Sequence, residues 1–183
     1  MKTFELKGTK RADLGKKASK AIRKSDAIPC VIYGGKENVN FQVLNADVRK
    51  LIYTPEIFLV SLDLEGKKVN AILKDIQFHP VSGQILHIDF LEVSADKDIV
   101  IEVPVKLEGL AEGVKQGGKL NQDMRKIKVR GAYSNIPEKL VVKVDSLGIG
   151  KTIQIGSLSF DNLTILNNPI NVVASVKSTR ASK

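Results

Sequence analysis

The stretch Asp75-Ile-Gln-Phe-His-Pro-Val-Ser-Gly-Gln-Ile-Leu-His-Ile-Asp-Phe90 contains both histidines of the chain, His79 and His87. Read as two strands, it alternates. Ile76 and Phe78 fall on one face, Gln77 and His79 on the other. After a turn over residues 80–84, Leu86, Ile88 and Phe90 lie opposite His87 and Asp89. Side chains two residues apart in a strand share a face. One hairpin is therefore expected to carry Gln77, His79, His87 and Asp89 together above an apolar underside.

The sequence upstream supplies further strands. Residues 3–7 alternate as a short strand, and residues 10–15 have the polar and glycine content of a loop. Residues 16–24 suit a short helix with Ala18, Ala21 and Ile22 inward and Lys16, Lys20 and Arg23 outward. Its apolar stripe is thin, so the helix needs tertiary support. Residues 28–33 read as a buried strand stopped by Gly34 and Gly35, and Val39, Phe41 and Val43 alternate in the next. Asn45 suits the N-cap of a helix bearing Val48, Leu51 and Ile52, with Pro55 beyond its end. Residues 57–64 and 69–73 form strands around a Glu65-Gly66 turn. Six or so strands and two short helices predict a small α+β or barrel-like unit ending near Val93.

Downstream, residues 94–98 make a polar bridge, which places a domain boundary at 94. Ile99, Ile101, Val103, Val105 and Leu107 then line one face of a long strand. Glycines at 109, 113, 117 and 118 predict a loop of unusual backbone geometry. Strands follow over 127–129, 140–144, 153–155 and 170–176, and no long helix is evident. The chain is thus expected to be mainly β, with one domain over residues 1–94, a second all-β domain over 95–183 and a frayed tail from 177.

The chain has 183 residues, 43% hydrophobic and 27% charged, the composition of a folded protein. A net charge of +9 points to an acidic partner, nucleic acid or an anionic membrane surface. Nine Lys or Arg fall within residues 1–24, against Glu5 and Asp13. Residues 95–183 hold 14 against nine acidic residues. Cys30 is the one cysteine, so no internal disulfide is possible. The opening residues alternate and carry charge early, unlike a signal peptide, and no apolar run reaches the roughly 20 residues of a membrane span. A cytoplasmic protein is expected.

Three readings of the polar hairpin face are open. It can be a solvated strand face, a metal site or a recognition surface. Two His and an Asp are a common ligand set, and His79, His87 and Asp89 could serve a metal-dependent enzyme. No third histidine, nearby cysteine or evident general base completes such a site. As a recognition surface, Gln and His offer donors and acceptors, and Asp accepts from exocyclic amines or fixes a histidine tautomer. Lys16, Lys20 and Arg23 on one helix face, with Lys10 and Arg11 before Gly15, suit phosphates, which supply affinity and register. Tyr33, ending a strand, could stack or hydrogen-bond at the rim. Structured RNA, with its wide minor groove, suits a rigid polar β surface, and the low aromatic content argues against a single-strand stacking platform. The Gly148-Ile-Gly-Lys-Thr152 run only echoes the end of a phosphate-binding loop. Cys30 lies in an apolar run, as an inert thiol does. An enzyme is not expected, nor is a cofactor.

The run Arg11-Ala-Asp-Leu-Gly-Lys-Lys-Ala-Ser-Lys-Ala-Ile-Arg23, then Ile28-Pro-Cys-Val-Ile-Tyr-Gly34, Asp75-Ile-Gln-Phe-His-Pro80 and Leu86-His-Ile-Asp-Phe90, resembles bacterial large-subunit ribosomal protein twenty-five. Residues 113–120, 136–140 and 144–150 are similar to the C-terminal domain of its long, general-stress form. The resemblance implies an N-terminal six-stranded β-barrel with short helices that binds 5S rRNA in the minor groove of the irregular loop E helix, in the central protuberance of the ribosome. It implies RNA contacts at Arg11, Lys16, Ser19, Lys20, Arg23, Tyr33, Gln77, His79, His87 and Asp89. A monomer within the ribosome is expected, and the positive charge of residues 95–183 is consistent with 23S rRNA or a neighbouring ribosomal protein meeting the second domain, without deciding between them. Conditional, stress-linked association with the ribosome is the alternative. Two departures stand out: Lys20 where Arg is common, which removes a bidentate fork, and Ala21 where some members are basic.

Overall fold

The computed structural model describes residues 1–35, 37–94 and 97–179. Residues 95 and 96 of the polar bridge and 180–183 of the tail lie outside them. The chain divides into two compact units, Met1–Lys97 and Asp98–Lys183.

The first unit is a closed six-stranded barrel. Its strands are β1 (Lys2–Lys10), β2 (Ala27–Tyr33), β3 (Val39–Leu44), β4 (Phe58–Leu64), β5 (Lys67–Phe78) and β6 (Ile85–Glu92), in the order β1-β3-β2-β6-β5-β4. Parallel pairing of β1 with β4 closes the circle, and β2 runs parallel to β6 with Cys30 beside Ile88. Alternation explains the filling. Ile28, Cys30 and Ile32 point inward from β2, Val60, Leu62 and Leu64 from β4, and Ile88 and Phe90 from β6. The Phe41 and Phe90 rings meet at 5.7 Å. Gly8 makes room for Phe41 and Leu64: a Cβ there would stand 2.7 Å from the Phe41 ring and 3.0 Å from Leu64. Helix α2 (Asn45–Ile52) adds Val48 and Leu51 to this core. Asn45 is not its side-chain cap; its amide donates to Asp26 Oδ1 at 3.1 Å.

Three expectations about side-chain direction are corrected. Residues 69–73 and 75–78 belong to one strand, β5, whose pairing with β6 slips twice. Leu73 pairs with Phe90 and Asp75 with Asp89, leaving Lys74 as an extra residue; Gln77 pairs with His87 and Phe78 with Ile85, leaving Leu86 extra. Each bulge resets the alternation. Hence Ile85, not Leu86, takes the buried position, and Phe78 at the strand end is 45% exposed. The first helix, α1 (Lys16–Lys24), turns a different face inward from the expected one. Ala18, Ser19, Ile22 and Arg23 are half-buried, and Ala21 is exposed.

The second unit holds two sheets. β7 (Asp98–Glu108), β9 (Lys126–Ala132), β10 (Leu140–Lys143) and β12 (Thr164–Ile165) form a four-stranded sheet in the order β10-β7-β9-β12. β8 (Lys119–Gln122), β11 (Thr152–Gln154) and β13 (Val172–Lys177) form a three-stranded one, β11-β13-β8. The short polar strands β8 and β12 lack the apolar alternation that marks the others. α3 (Glu112–Lys115) is a single turn. Its Gly113 lies where a Cβ would be 2.6 Å from the Ile149 nitrogen, and Gly113 O accepts from Gly118 N at 2.7 Å. This close backbone approach accounts for the glycine cluster. Thr152 opens a strand, not a helix, so the Gly148–Thr152 run is no phosphate loop.

Candidate nucleic-acid interface

The register of β2, β6 and β5 builds one polar patch on the outer wall of the barrel. Gln77 faces His87 directly across the strands, and Asp75 faces Asp89. On the other side of β6, Val31 lies beside Asp89 and Tyr33 beside Leu91. Asp75 was not among the residues expected here, although the two-residue period already placed it with Gln77.

Within the patch, His87 Nδ1 and Asp89 Oδ1 are 2.7 Å apart, with each side chain about a quarter exposed (26% and 28%). The carboxylate can only accept, so the proton belongs on Nδ1 and the neutral ring keeps Nε2 as an acceptor, an assignment made from the hydrogen bond. Burial pushes the Tyr33 phenol above its ordinary pKa, and the carboxylates of Asp89 and Asp75 push it further. Tyr33 therefore remains a hydrogen-bond donor at neutral pH.

His79 is separated from this patch by its role. It lies in the turn, where its N–H donates to Gln84 O at 2.8 Å and its carbonyl accepts from Gly83 N at 2.9 Å. Its Nδ1 accepts from the backbone N–H groups of Val81 and Ser82 at 3.3 and 3.2 Å. The proton of the neutral ring therefore sits on Nε2. His79 shapes the turn and offers a donor, the reverse of the free nitrogen on His87.

The basic side of the site is organised by two arginines, of which Arg23 reaches the hairpin and Arg11 braces the loop before α1. Arg23 Nε donates to Leu86 O at 3.0 Å. The bulge makes this contact possible, because an extra residue leaves the ladder and frees its carbonyl. Arg11 Nη2 donates to Ser19 Oγ and to Asp13 O, both at 3.3 Å, and Arg11 N donates to Asn40 O at 3.0 Å. Arg11 Nε is buried without a hydrogen-bond partner. Gly15, at φ 102°, turns the chain into α1. No residue of α1 is fully buried, so these polar ties and the half-buried Ala18 and Ile22 hold it. Lys16, Lys20 and Lys24 remain exposed at successive i, i+4 positions, which lie side by side on a helix.

The expected residues thus separate into groups. Tyr33, Gln77, His87 and Asp89 share the patch. Arg11 and Ser19 brace the loop before α1, and Arg23 joins α1 to the hairpin. Lys16 and Lys20 lie on the free side of the helix, with Lys24 as an unforeseen third. Among the described residues, no group of three or more His, Cys, Asp or Glu is placed to hold a metal ion.

A model of the ribosomal L25p family matches residues 6–90, a span that takes in every site residue. A model of the C-terminal domain of ribosomal protein TL5 matches residues 98–180. The large ribosomal subunit protein bL25 of Azobacteroides pseudotrichonymphae genomovar. CFP2 is 59% identical over 184 residues, covering 100% of this chain and 97% of that one. Those of Porphyromonas gingivalis and Bacteroides thetaiotaomicron are 60% and 55% identical, again over 100% of this chain and 96% of theirs. The chain belongs to the ribosomal L25p family.

The patch is a set of hydrogen-bonding groups. It presents donors from Tyr33 and Gln77 and acceptors from Gln77, His87 and Asp89, and His79 adds a donor from the turn that follows β5. No helix among the described residues is long and apolar enough to cross a membrane.

Proposed function

We propose that this protein is a structural component of the large ribosomal subunit in the cytoplasm, and that its barrel binds 5S rRNA along the minor groove of the irregular loop E helix. The observation that carries this reading is the union of two surfaces by one contact, Arg23 Nε to Leu86 O at 3.0 Å. It fixes a row of lysines beside a face of short polar groups, so one docking event engages phosphates and base edges together.

The two surfaces do different work. Lys16, Lys20 and Lys24 meet phosphates, which supply affinity without reading sequence. In a wide RNA minor groove the target groups are ribose 2′-hydroxyls, purine N3 and pyrimidine O2 acceptors, and the guanine amino group. Tyr33, Gln77 and His79 donate to the acceptors, and Asp89 and His87 Nε2 accept from guanine amines or ribose hydroxyls. A mixed pattern fits a distorted helix better than a regular one, because only there do its donors and acceptors face a matching set.

A salt titration of the full chain with 5S rRNA tests this. Several phosphate contacts give a steep fall of log affinity with log salt, on the order of 0.9 per contact as for B-form duplex. Expected in addition is a loss of at least tenfold when loop E is replaced by regular base pairs. Weak, salt-independent binding, or equal affinity for both RNAs, refutes the reading.

A further inference from the structure

We propose that the outer face of the four-stranded sheet in the second unit binds the phosphate backbone of duplex RNA through Lys126, Lys128 and Arg130. It is a surface separate from the barrel patch and independent of it. These three residues are successive outward positions of β9, exposed and alternating with buried Ile127, Val129 and Gly131. The two-residue period spaces the cations about 6.8 Å apart in a straight row.

An ordinary solvated sheet face mixes both signs of charge, with opposite charges across from one another. β9 itself departs from that pattern, its exposed positions all being cationic, while the acids Asp98, Glu102 and Glu108 lie on the outward positions of β7. On β7, Lys126 faces Pro104 and Arg130 faces Val100, and only Lys128 faces an acid, Glu102. On the other side Arg130 faces Thr164 of β12. None of the three takes part in an ion pair among the described residues. Lys106 continues the positive surface on β7, next along from Pro104.

The row is also held in place. Lys128 N donates to Asn167 Oδ1 at 2.6 Å, and Lys128 O accepts from Leu166 N at 2.9 Å. A row of cations along one strand, with a single acid directly facing it, fits a line of single negative charges. The outward positions of β9 hold no aromatic side chain for bases to stack on, which favours a duplex backbone over a single strand. Backbone contacts of this kind carry no sequence information.

The test uses the full chain and a plain A-form RNA duplex without loop E, measured by fluorescence anisotropy across a salt series. The variant K126Q/K128Q/R130Q is expected to bind this duplex at least tenfold more weakly at low salt. Its log–log salt slope should shrink by about two to three. Binding to an isolated loop E hairpin should change less than twofold. Glu102→Gln removes the one acid facing the row and is expected to tighten duplex binding, a gain that misfolding does not produce. An unchanged slope and affinity in the triple variant overturn the proposal. So does loss of incorporation into the large subunit with duplex binding intact, which would make the face a protein contact.

Discussion

Asp89 Oδ1 lies 2.7 Å from His87 Nδ1, and the two residues stand two apart on the outer face of β6. The carboxylate decides which nitrogen of the imidazole is left to accept. Under the proposed function the pair acts as one unit, and Asp89 has a role even where it touches no RNA itself.

Asp89→Ala is expected to lower affinity for loop E by about 1–3 kcal/mol, the usual worth of a specific base contact, and to leave non-specific RNA binding within about twofold. Asp89→Asn keeps an acceptor for the Nδ1 proton and should lose less. Because both side chains are partly exposed, the melting temperature of the free protein should hardly move. Competition binding with and without excess non-specific RNA reads this directly; equal losses on both RNAs would count against the pairing.

Arg23 ties α1 to the hairpin as well as adding charge to the basic helix. Arg23→Ala removes the tie to Leu86 O and is expected to destabilise the free protein by about 1 kcal/mol, the net worth of one hydrogen bond. It should weaken binding to most RNAs alike. Lysine has no Nε–H on a planar fork, so Arg23→Lys should not restore both properties. A thermal melt beside a binding titration separates the two effects. Full rescue by lysine would show that charge alone matters.

Gly34 sits at φ 96°, where a Cβ would come 2.7 Å from a Leu91 side-chain carbon and 3.3 Å from Glu92 O. Gly34→Ala is expected to cost about 1–3 kcal/mol in stability through the backbone conformation alone, and more with the crowding. Denaturant unfolding measures it, and a neutral result would mean the β2 terminus is free to rearrange.

Cys30 is fully buried in the barrel, and burial pushes its thiol far above the ordinary value, with Arg11 opposing the shift and Asp89 adding to it. The native thiol should resist alkylation at pH 8 and react only on unfolding. The sign for stability follows from a raised pKa. The contribution is complete below the thiol's unfolded pKa and is lost as pH rises above it, because the unfolded chain ionises first. Tyr33, also raised, acts in the same direction. Unfolding midpoints should therefore fall above about pH 9, more in the native protein than in Cys30→Ala.

Much of this site was legible in the sequence because strand alternation is local. Ile28, Cys30 and Ile32 declared an inner face, and Gln77, His87 and Asp89 an outer one. The bulges were not legible: Ile85 and Leu86 are equally apolar, and the choice between them depends on where β5 lies across the ladder. The inward turn of Ser19 and Arg23 was hidden for a related reason. Their partners, Arg11 and Leu86 O, come from outside the helix, so the helix's own pattern favours Ala21 instead. His79 read as a strand residue because the alternation runs through it, although the N–H groups that its ring accepts from belong to Val81 and Ser82 just beyond. The parallel pairings β1–β4 and β2–β6 join segments far apart in sequence, and no short-range signal announces them.

The most direct measurement is hydroxyl-radical footprinting of 5S rRNA with the full chain. Expected is protection of riboses lining the loop E minor groove, weakened locally by Asp89→Ala and more generally by Arg23→Ala. Protection elsewhere on the RNA, or none above that given by an unrelated basic protein, would contradict the assignment of the barrel patch to loop E.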